Sequence, residues 1–360
     1  MNDGYILSGP RVLIDALLLA GWRVIAPVER DGALVPSVLD RAAALPQGLS
    51  DEQAPGTYRL VPGQTGRWFD AVVGPQGWKR WLHPPNHRLW TARREEDGFV
   101  VEPHSEIWPR TVFFGVRPCD LAAIERQAEV FRRAGDPAYG ERLAATRLVA
   151  VNCTRAADTC FCASMGAGPG AQTGFDLALT ELDRELLVEP GTEEGLQLLD
   201  GLDLPPASTA QVDTARARVQ IAAENQSRVM PPGIAARLRD VAESPRWEEI
   251  ATRCLHCASC TLVCPTCFCT DITDRTDLSG ESAERWQRWD SCFSADFSFL
   301  HGGAVRQSGA SRYRQWMTHK LSSWHDQFNA SGCTGCGRCI TWCPAAIDLV
   351  AEARAFAEEG

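Results

Sequence analysis

Two copies of one cysteine pattern constrain this chain more than any other feature. The first is Cys254-Leu-His-Cys257-Ala-Ser-Cys260-Thr-Leu-Val-Cys264-Pro265; the second is Cys333-Thr-Gly-Cys336-Gly-Arg-Cys339-Ile-Thr-Trp-Cys343-Pro344. Both read C-x2-C-x2-C-x3-C-P, the spacing with which bacterial ferredoxins hold two [4Fe–4S] cubanes, the fourth Cys of each run ligating the other cluster. The pattern assigns Cys254, Cys257, Cys260 and Cys343 to one cubane, and Cys264, Cys333, Cys336 and Cys339 to a second. Each iron corner takes a soft anionic donor, and thiolate is the preferred one. The x2 gaps curl three sulfurs onto one cube, and Pro265 and Pro344 fix φ where the chain leaves. Zinc knuckles pair two C-x2–4-C hooks and fit this spacing less well.

The remaining composition excludes more than it assigns. A chain of 360 residues implies two or three domains, and 44% apolar residues are ample for a core. A net charge of −10 argues against nucleic acid and anionic membrane surfaces. The start, Met1-Asn-Asp-Gly4, has no basic n-region, and the apolar run Val12–Ala20 is too short to span a bilayer. Fifteen cysteines with no visible export signal point to a reducing, cytoplasmic setting and to metal ligation rather than disulfides. Only two lysines occur, Lys79 and Lys320, which base composition alone would explain.

The expected fold class is α+β: an N-terminal mixed α/β body followed by a helical dicluster ferredoxin-type domain. Residues 1–110 form the first region, with a helix over Pro10–Ala20, a strand over Trp22–Val28 broken by Pro27, and loop over 45–65. His83, His87 and His104 lie here and read as ordinary surface or core histidines. Residues 111–200 form an α/β core. Thr111–Val116 is a strand, Arg117–Asp120 a turn with Asp120 as N-cap, and Leu121–Arg133 an amphipathic helix. Arg147–Cys153 is a second strand, and Phe175–Leu182 with Glu185–Glu189 a hairpin. A linker follows over 201–250, helical from Gln211 to Glu243. The dicluster domain spans 251–350, with an insert over 271–330 whose Glu281–Trp289 and Ser311–Asn329 are helical by composition. Such a long insert suggests a helical dicluster domain similar to those of fumarate reductase iron–sulfur subunits.

Seven cysteines remain, and they are not scattered. Thr159-Cys-Phe-Cys162 recurs as Thr266-Cys-Phe-Cys269. Cys119 and Cys153 follow successive strands, where sites form in α/β folds, and with Cys160 and Cys162 they could close a third cubane. The alternative is small buried hydrophobes, since free Cys is among the most buried residues. Cys267, Cys269 and Cys292 lack an obvious fourth thiol; they are structural, or a site completed by a ligand such as His301. Gly166-Ala-Gly168-Pro-Gly170-Ala171 superficially fits a dinucleotide fingerprint. It follows a Cys loop and precedes a strand, so it reads as a glycine loop beside a cluster.

Phe113-Phe-Gly-Val-Arg-Pro-Cys-Asp-Leu-Ala-Ala-Ile124, the Cys160-Phe-Cys162 loop with Gly174-Phe-Asp176, the two ferredoxin runs and Trp289-Asp-Ser-Cys292 together resemble one family. It is that of the iron–sulfur beta subunits of cytoplasmic NAD(P)-linked nickel–iron hydrogenases (sulfhydrogenases), with the related first subunit, A, of anaerobic sulfite reductase. The resemblance covers about residues 75–350. It implies a non-catalytic conduit with no flavin of its own. Electrons would pass from a flavin-bearing NAD(P)H-reactive partner toward a catalytic hydrogenase or sirohaem subunit. Two other readings stay open: an iron–sulfur enzyme with Cys267, Cys269 and Cys292 as its open site, and a zinc-binding interaction module.

Overall fold

The computed structural model describes residues 4–359; three residues of the Met1–Gly4 start and the final glycine lie outside them. Eleven strands come from the N-terminal half: β1 (Tyr5–Leu7), β2 (Arg23–Arg30), β3 (Ala33–Val38), β4 (Leu49–Ala54), β5 (Thr57–Pro62), β6 (Asn86–Glu95), β7 (Gly98–Pro103), β8 (Thr111–Val116), β9 (Thr146–Val151), β10 (Leu177–Glu181) and β11 (Leu186–Pro190). Seven of them make one sheet in the order β1-β11-β10-β9-β8-β2-β3, with β10, β9, β8 and β2 parallel and antiparallel strands at both edges.

The sequence of β8, Thr-Val-Phe-Phe-Gly-Val, is buried at every position, as a strand covered on both faces requires. Val112 and Phe114 join one core with the helix Pro10–Leu19 through Leu13, Ile14 and Leu17. Phe113 and Val116 join the opposite core with the helix Pro118–Ala134 through Leu121, Ile124 and Phe131. Each strand thus sends alternate side chains into different cores, by the two-residue period of the pleat. A bulge at Gly115 (φ 93°) shifts the register against β9 and leaves room for Pro27. Pro27 therefore does not break β2, which runs through it and pairs it with Pro36.

Several expectations need correction. Residues 45–65 are not loop: β4 and β5 form a hairpin turning at Pro55-Gly56, where Gly56 has φ 74°. Arg117–Asp120 is not a turn capped by Asp120. The helix begins at Pro118 with Arg117 as cap residue, and Asp120 sits in its first turn. The stretch Gln211–Glu243 is two helices, Thr209–Glu224 and Ile234–Asp240. Glu281–Trp289 is not helical. Strands β12 (Thr270–Thr276) and β13 (Ser282–Trp289) form a hairpin that pairs with β6 in the sheet β12-β13-β6-β7. The insert is therefore part sheet, and the purely helical description fails there. Glu, Arg and Gln favour helix locally, but long-range pairing wins. Arg285 lies over Trp90 at 5.0 Å and ion-pairs Asp274 at 2.7 Å, while Glu284 meets Arg88 at 2.8 Å. A short hairpin of β14 (Phe299–Leu300) and β15 (Gly303–Ala304) follows.

The rest of the insert is helical: Gly309–Thr318, a π-helical turn at His319–Ser323, then Trp324–Phe328. These pack with the helices Arg246–Arg253 and Leu349–Glu358 in a third core around Trp247, Phe293, Trp316 and Phe356. Among the described residues no helix is long and apolar enough to cross a membrane.

The second ferredoxin run docks on the α/β body. Arg338 forks onto Asp120 at 2.5 and 2.8 Å, both side chains being buried. Breaking one partner of such a pair leaves an uncompensated buried charge. Arg338→Met is expected to cost about 3–5 kcal/mol in denaturant unfolding, with Asp120→Asn added to it costing less than the two separate losses summed.

Candidate metal centres

The two ferredoxin runs share a backbone device. Two and four residues after the leading Cys the chain turns left-handed: His256 (φ 51°) and Ala258 (φ 64°) in the first run, Gly335 (φ 67°) and Gly337 (φ 74°) in the second. The turn aims backbone N–H groups at sulfur. His256 donates to Cys254 Sγ and Gly335 to Cys333 Sγ, both at 3.4 Å. A one-turn helix then starts in each run, at Ser259 and at Arg338. In the first run ordinary residues tolerate the left-handed turns. In the second a side chain would collide, since a Cβ on Gly335 would lie 2.6 Å from the Cys162 backbone and one on Gly337 2.4 Å from the Thr159 carbonyl. Glycine is required there by contact as well as by φ.

Cys254, Cys257, Cys260 and Cys343 line one cavity together with Cys339, closed by Phe293, Tyr313 and Trp316 and by Pro344. Ile347 N–H donates to Cys343 Sγ at 3.4 Å. Cys257 is exposed, so this group lies nearest the surface. Cys264, Cys333, Cys336 and Cys339 form a deeper group. Burial first, then the charges of Cys333, Cys336 and Cys264, push the Cys339 thiol well above its ordinary value.

Cys119, Cys153, Cys160 and Cys162 also line one cavity, with Arg117, Gln226, Pro169 and Cys336. Cys119 and Cys153 leave the C-terminal ends of the adjacent parallel strands β8 and β9, the edge where α/β sheets place their sites. Gln226 Nε2 donates to Cys162 Sγ at 3.1 Å, and Arg117 Nη1 to Cys153 Sγ at 3.6 Å. The glycine loop packs against the same thiols: a Cβ on Gly168 would lie 3.1 Å from Cys162 Sγ. No helix follows that loop, so it does not form a dinucleotide cradle. Burial pushes Cys119 and Cys160 well up and Cys162 to about 12; iron binding at such thiols must expel their protons. Among the described residues no three His, Cys, Asp or Glu side chains close on a point suited to one bare metal ion. The donor set instead surrounds wider cavities, lined by soft sulfur with N–H donors behind it, which suits an iron–sulfur cube.

The last three thiols lie beside the deeper group. The Cys267 thiol hydrogen-bonds Cys264, and the Cys292 thiol hydrogen-bonds Cys269, holding Cys269 down to about 7. His301 is exposed at the turn of the β14–β15 hairpin, and among the described residues no contact joins it to them. His83, His87 and His104 lie apart from the sulfur groups. His83 is buried between Phe131 and Trp289, and burial drives its pKa to about 3; His87 meets His104 edge-on.

Sequence reasoning missed Gln53, Lys320 and the Asp120–Arg338 pair. The hydroxyls of Thr159 and Thr341 both donate to Gln53 Oε1, at 2.7 and 2.8 Å, tying the Cys-Phe-Cys loop to the second run. Asp120 follows Cys119 directly and Arg338 precedes Cys339 directly, so a charge beside a ligand-type Cys was the available signal.

The two cysteine runs on the ferredoxin spacing define an iron–sulfur protein of electron-transfer type. The family model described as a 4Fe-4S dicluster domain matches residues 253–347. The sulfhydrogenase 2 beta subunit of Pyrococcus furiosus is 31% identical over 249 residues, which is 66% of this chain and 72% of that protein. The chain belongs to the family of hydrogenase iron–sulfur beta subunits, and it is an electron-transfer subunit.

Gly337→Ala tests the docking geometry. The left-handed φ alone costs about 1–2 kcal/mol for a side chain. Gly166→Ala, with φ 63° and open space around it, is expected to lose only that. Gly337→Ala is expected to lose clearly more in the same unfolding measurement, because its Cβ meets Thr159.

Proposed function

We propose that this chain relays electrons through three [4Fe–4S] clusters between a flavin-bearing NAD(P)H-reactive partner and the catalytic subunit of a nickel–iron hydrogenase. The first cluster takes Cys254, Cys257, Cys260 and Cys343; the second takes Cys264, Cys333, Cys336 and Cys339; the third takes Cys119, Cys153, Cys160 and Cys162. The observation that carries the reading is their succession. Cys336 of the second group walls the cavity of the third, Cys260 and Cys264 lie on one short segment between the first and second, and Cys257 of the first reaches the surface. The clusters supply one-electron carriage. The chain's own residues hold them, exclude water with Phe293, Tyr313 and Trp316, and set their potentials through N–H···S bonds and buried charge.

Purification of the native complex tests the partners. The proposal expects a nickel–iron subunit and a flavoprotein to accompany the chain, and the clusters to show reduced EPR signals with either hydrogen or NAD(P)H. A sirohaem partner in place of nickel would make the chain the equivalent relay of a sulfite reductase. Reduction of NAD(P)+ by the isolated chain would contradict a pure relay. Cluster number is tested separately: about twelve irons per chain are expected, falling to about eight in Cys160→Ala, whereas about eight in both would remove the third cluster.

A further inference from the structure

The chain has two lysines, and both are buried against one stretch, Thr261–Cys269. Lys79 is 7% exposed and Lys320 5%. Among the described residues neither pairs with a carboxylate; every ion pair there uses arginine. A buried ammonium without a counter-charge is costly. Lys79 Nζ is satisfied by the carbonyls of Thr261, Leu262 and Cys267, at 3.5, 3.2 and 3.3 Å, and by the face of Trp289 at 3.9 Å. Lys320 Nζ reaches sulfur: it donates to Cys264 Sγ at 3.2 Å, to Thr266 Oγ1 at 2.9 Å and to the Gly332 carbonyl at 3.2 Å, using all three of its protons.

Its placement is built in at both ends. Lys320 stands on the π-helical turn His319–Ser323, a distortion frequent at functional sites. Its own carbonyl accepts from Gly332 N–H at 2.8 Å, so the backbone is tied to the residue before Cys333. The titratable groups facing it are the thiols of Cys264, Cys267 and Cys333, with Cys269 and Cys292 beyond them, and the second lysine, Lys79.

Among the described residues no cation hydrogen-bonds a sulfur of the first group. Its sulfurs accept from the backbone N–H groups of His256 and Ile347 amid aromatic and aliphatic walls. Arg312 lies near enough for its charge to act on Cys254, but its Nη1 donates to the carbonyls of Arg306 and Gln307 rather than to sulfur.

We infer that Lys320 is the residue that splits the potentials of the ferredoxin pair, making the cluster bound through Cys264 easier to reduce than the one bound through Cys254. This rests on the ligand assignment proposed above. Reduction adds one electron to the cube and no other atom. A fixed cation hydrogen-bonded to a ligand sulfur stabilises the more negative state more than the less negative one, and so raises the potential. An electron then rests on the inner cluster and leaves by the one next to exposed Cys257. Lys320 touches a ligand and not the reacting irons, so it is a positioning residue.

The test is an EPR-monitored redox titration of the full chain, prepared anaerobically, in wild type, Lys320→Met and Lys320→Arg. The inner cluster is recognised by the signal that Cys264→Ser alters. Lys320→Met is expected to keep its iron and the signal of the outer cluster. The inner cluster should become at least tenfold harder to reduce, about 59 mV for one electron, and Lys320→Arg should restore most of the difference. Unchanged midpoints with full iron, or equal movement of both clusters, would overturn the inference. Should Lys320→Met lose iron, Lys320→Gln keeps a donor, removes the charge and is read by the same criterion. Wild-type chain without iron would instead fail the relay itself.

Discussion

The contact on which the rest of this molecule depends is the docking of the second ferredoxin run onto the ends of β8 and β9. Four interactions hold it: the buried Arg338–Asp120 fork, the Gln53 amide shared by Thr159 and Thr341, and the close approaches of Gly335 and Gly337 to the Cys160–Cys162 loop. Without that contact the thiols at the strand ends and the thiols of the ferredoxin runs would sit in separate bodies. With it, Cys336 lines the same cavity as Cys119, Cys153, Cys160 and Cys162. A buried ion pair is weak evidence for stability, because desolvation opposes it, and its best-attested role is to fix register. Here the register decides which sulfur faces which.

The scaffold behind that contact explains why the strand ends are available. The parallel strands are buried on both faces, so their C-terminal edge is where the backbone leaves the core, and the bulge at Gly115 re-aims the chain into Arg117-Pro118-Cys119. The second sheet adds a different constraint. Because β13 pairs with β6, the segment between the two cysteine runs is sewn to the N-terminal region, and Trp289 reaches back to cover Lys79 and His83. Sequence-distant segments are fixed together around sulfur, which limits how far neighbouring groups can drift apart.

Legibility followed the range of the interaction. The two cysteine runs declare their grouping through fixed short spacing, and the strand-end thiols Cys119 and Cys153 could be grouped because β8 and β9 carry unmistakable apolar patterns. The hairpin over Leu49–Pro62 was obscured by its many polar residues, although Pro55-Gly56 marks a turn. β13 was unreadable locally, since its Glu, Arg and Gln residues are helix formers and its strand state comes from partners about 200 residues away. Lys320 carried no signal beyond rarity: only the folded chain puts its ammonium on Cys264. Arg338 and Asp120 are separated by 218 residues and could not be paired by inspection.

The central claim of the proposed relay is that the twelve sulfurs of the three groups bind iron while Cys267, Cys269 and Cys292 stay outside the clusters. Thiol alkylation of the anaerobic holoprotein, read residue by residue by mass spectrometry before and after iron chelation, tests it most directly. The account predicts that chelation opens the twelve thiols of the three groups to labelling and leaves the rates at Cys267, Cys269 and Cys292 nearly unchanged. Equal labelling of Cys254 or Cys333 before and after chelation would contradict it.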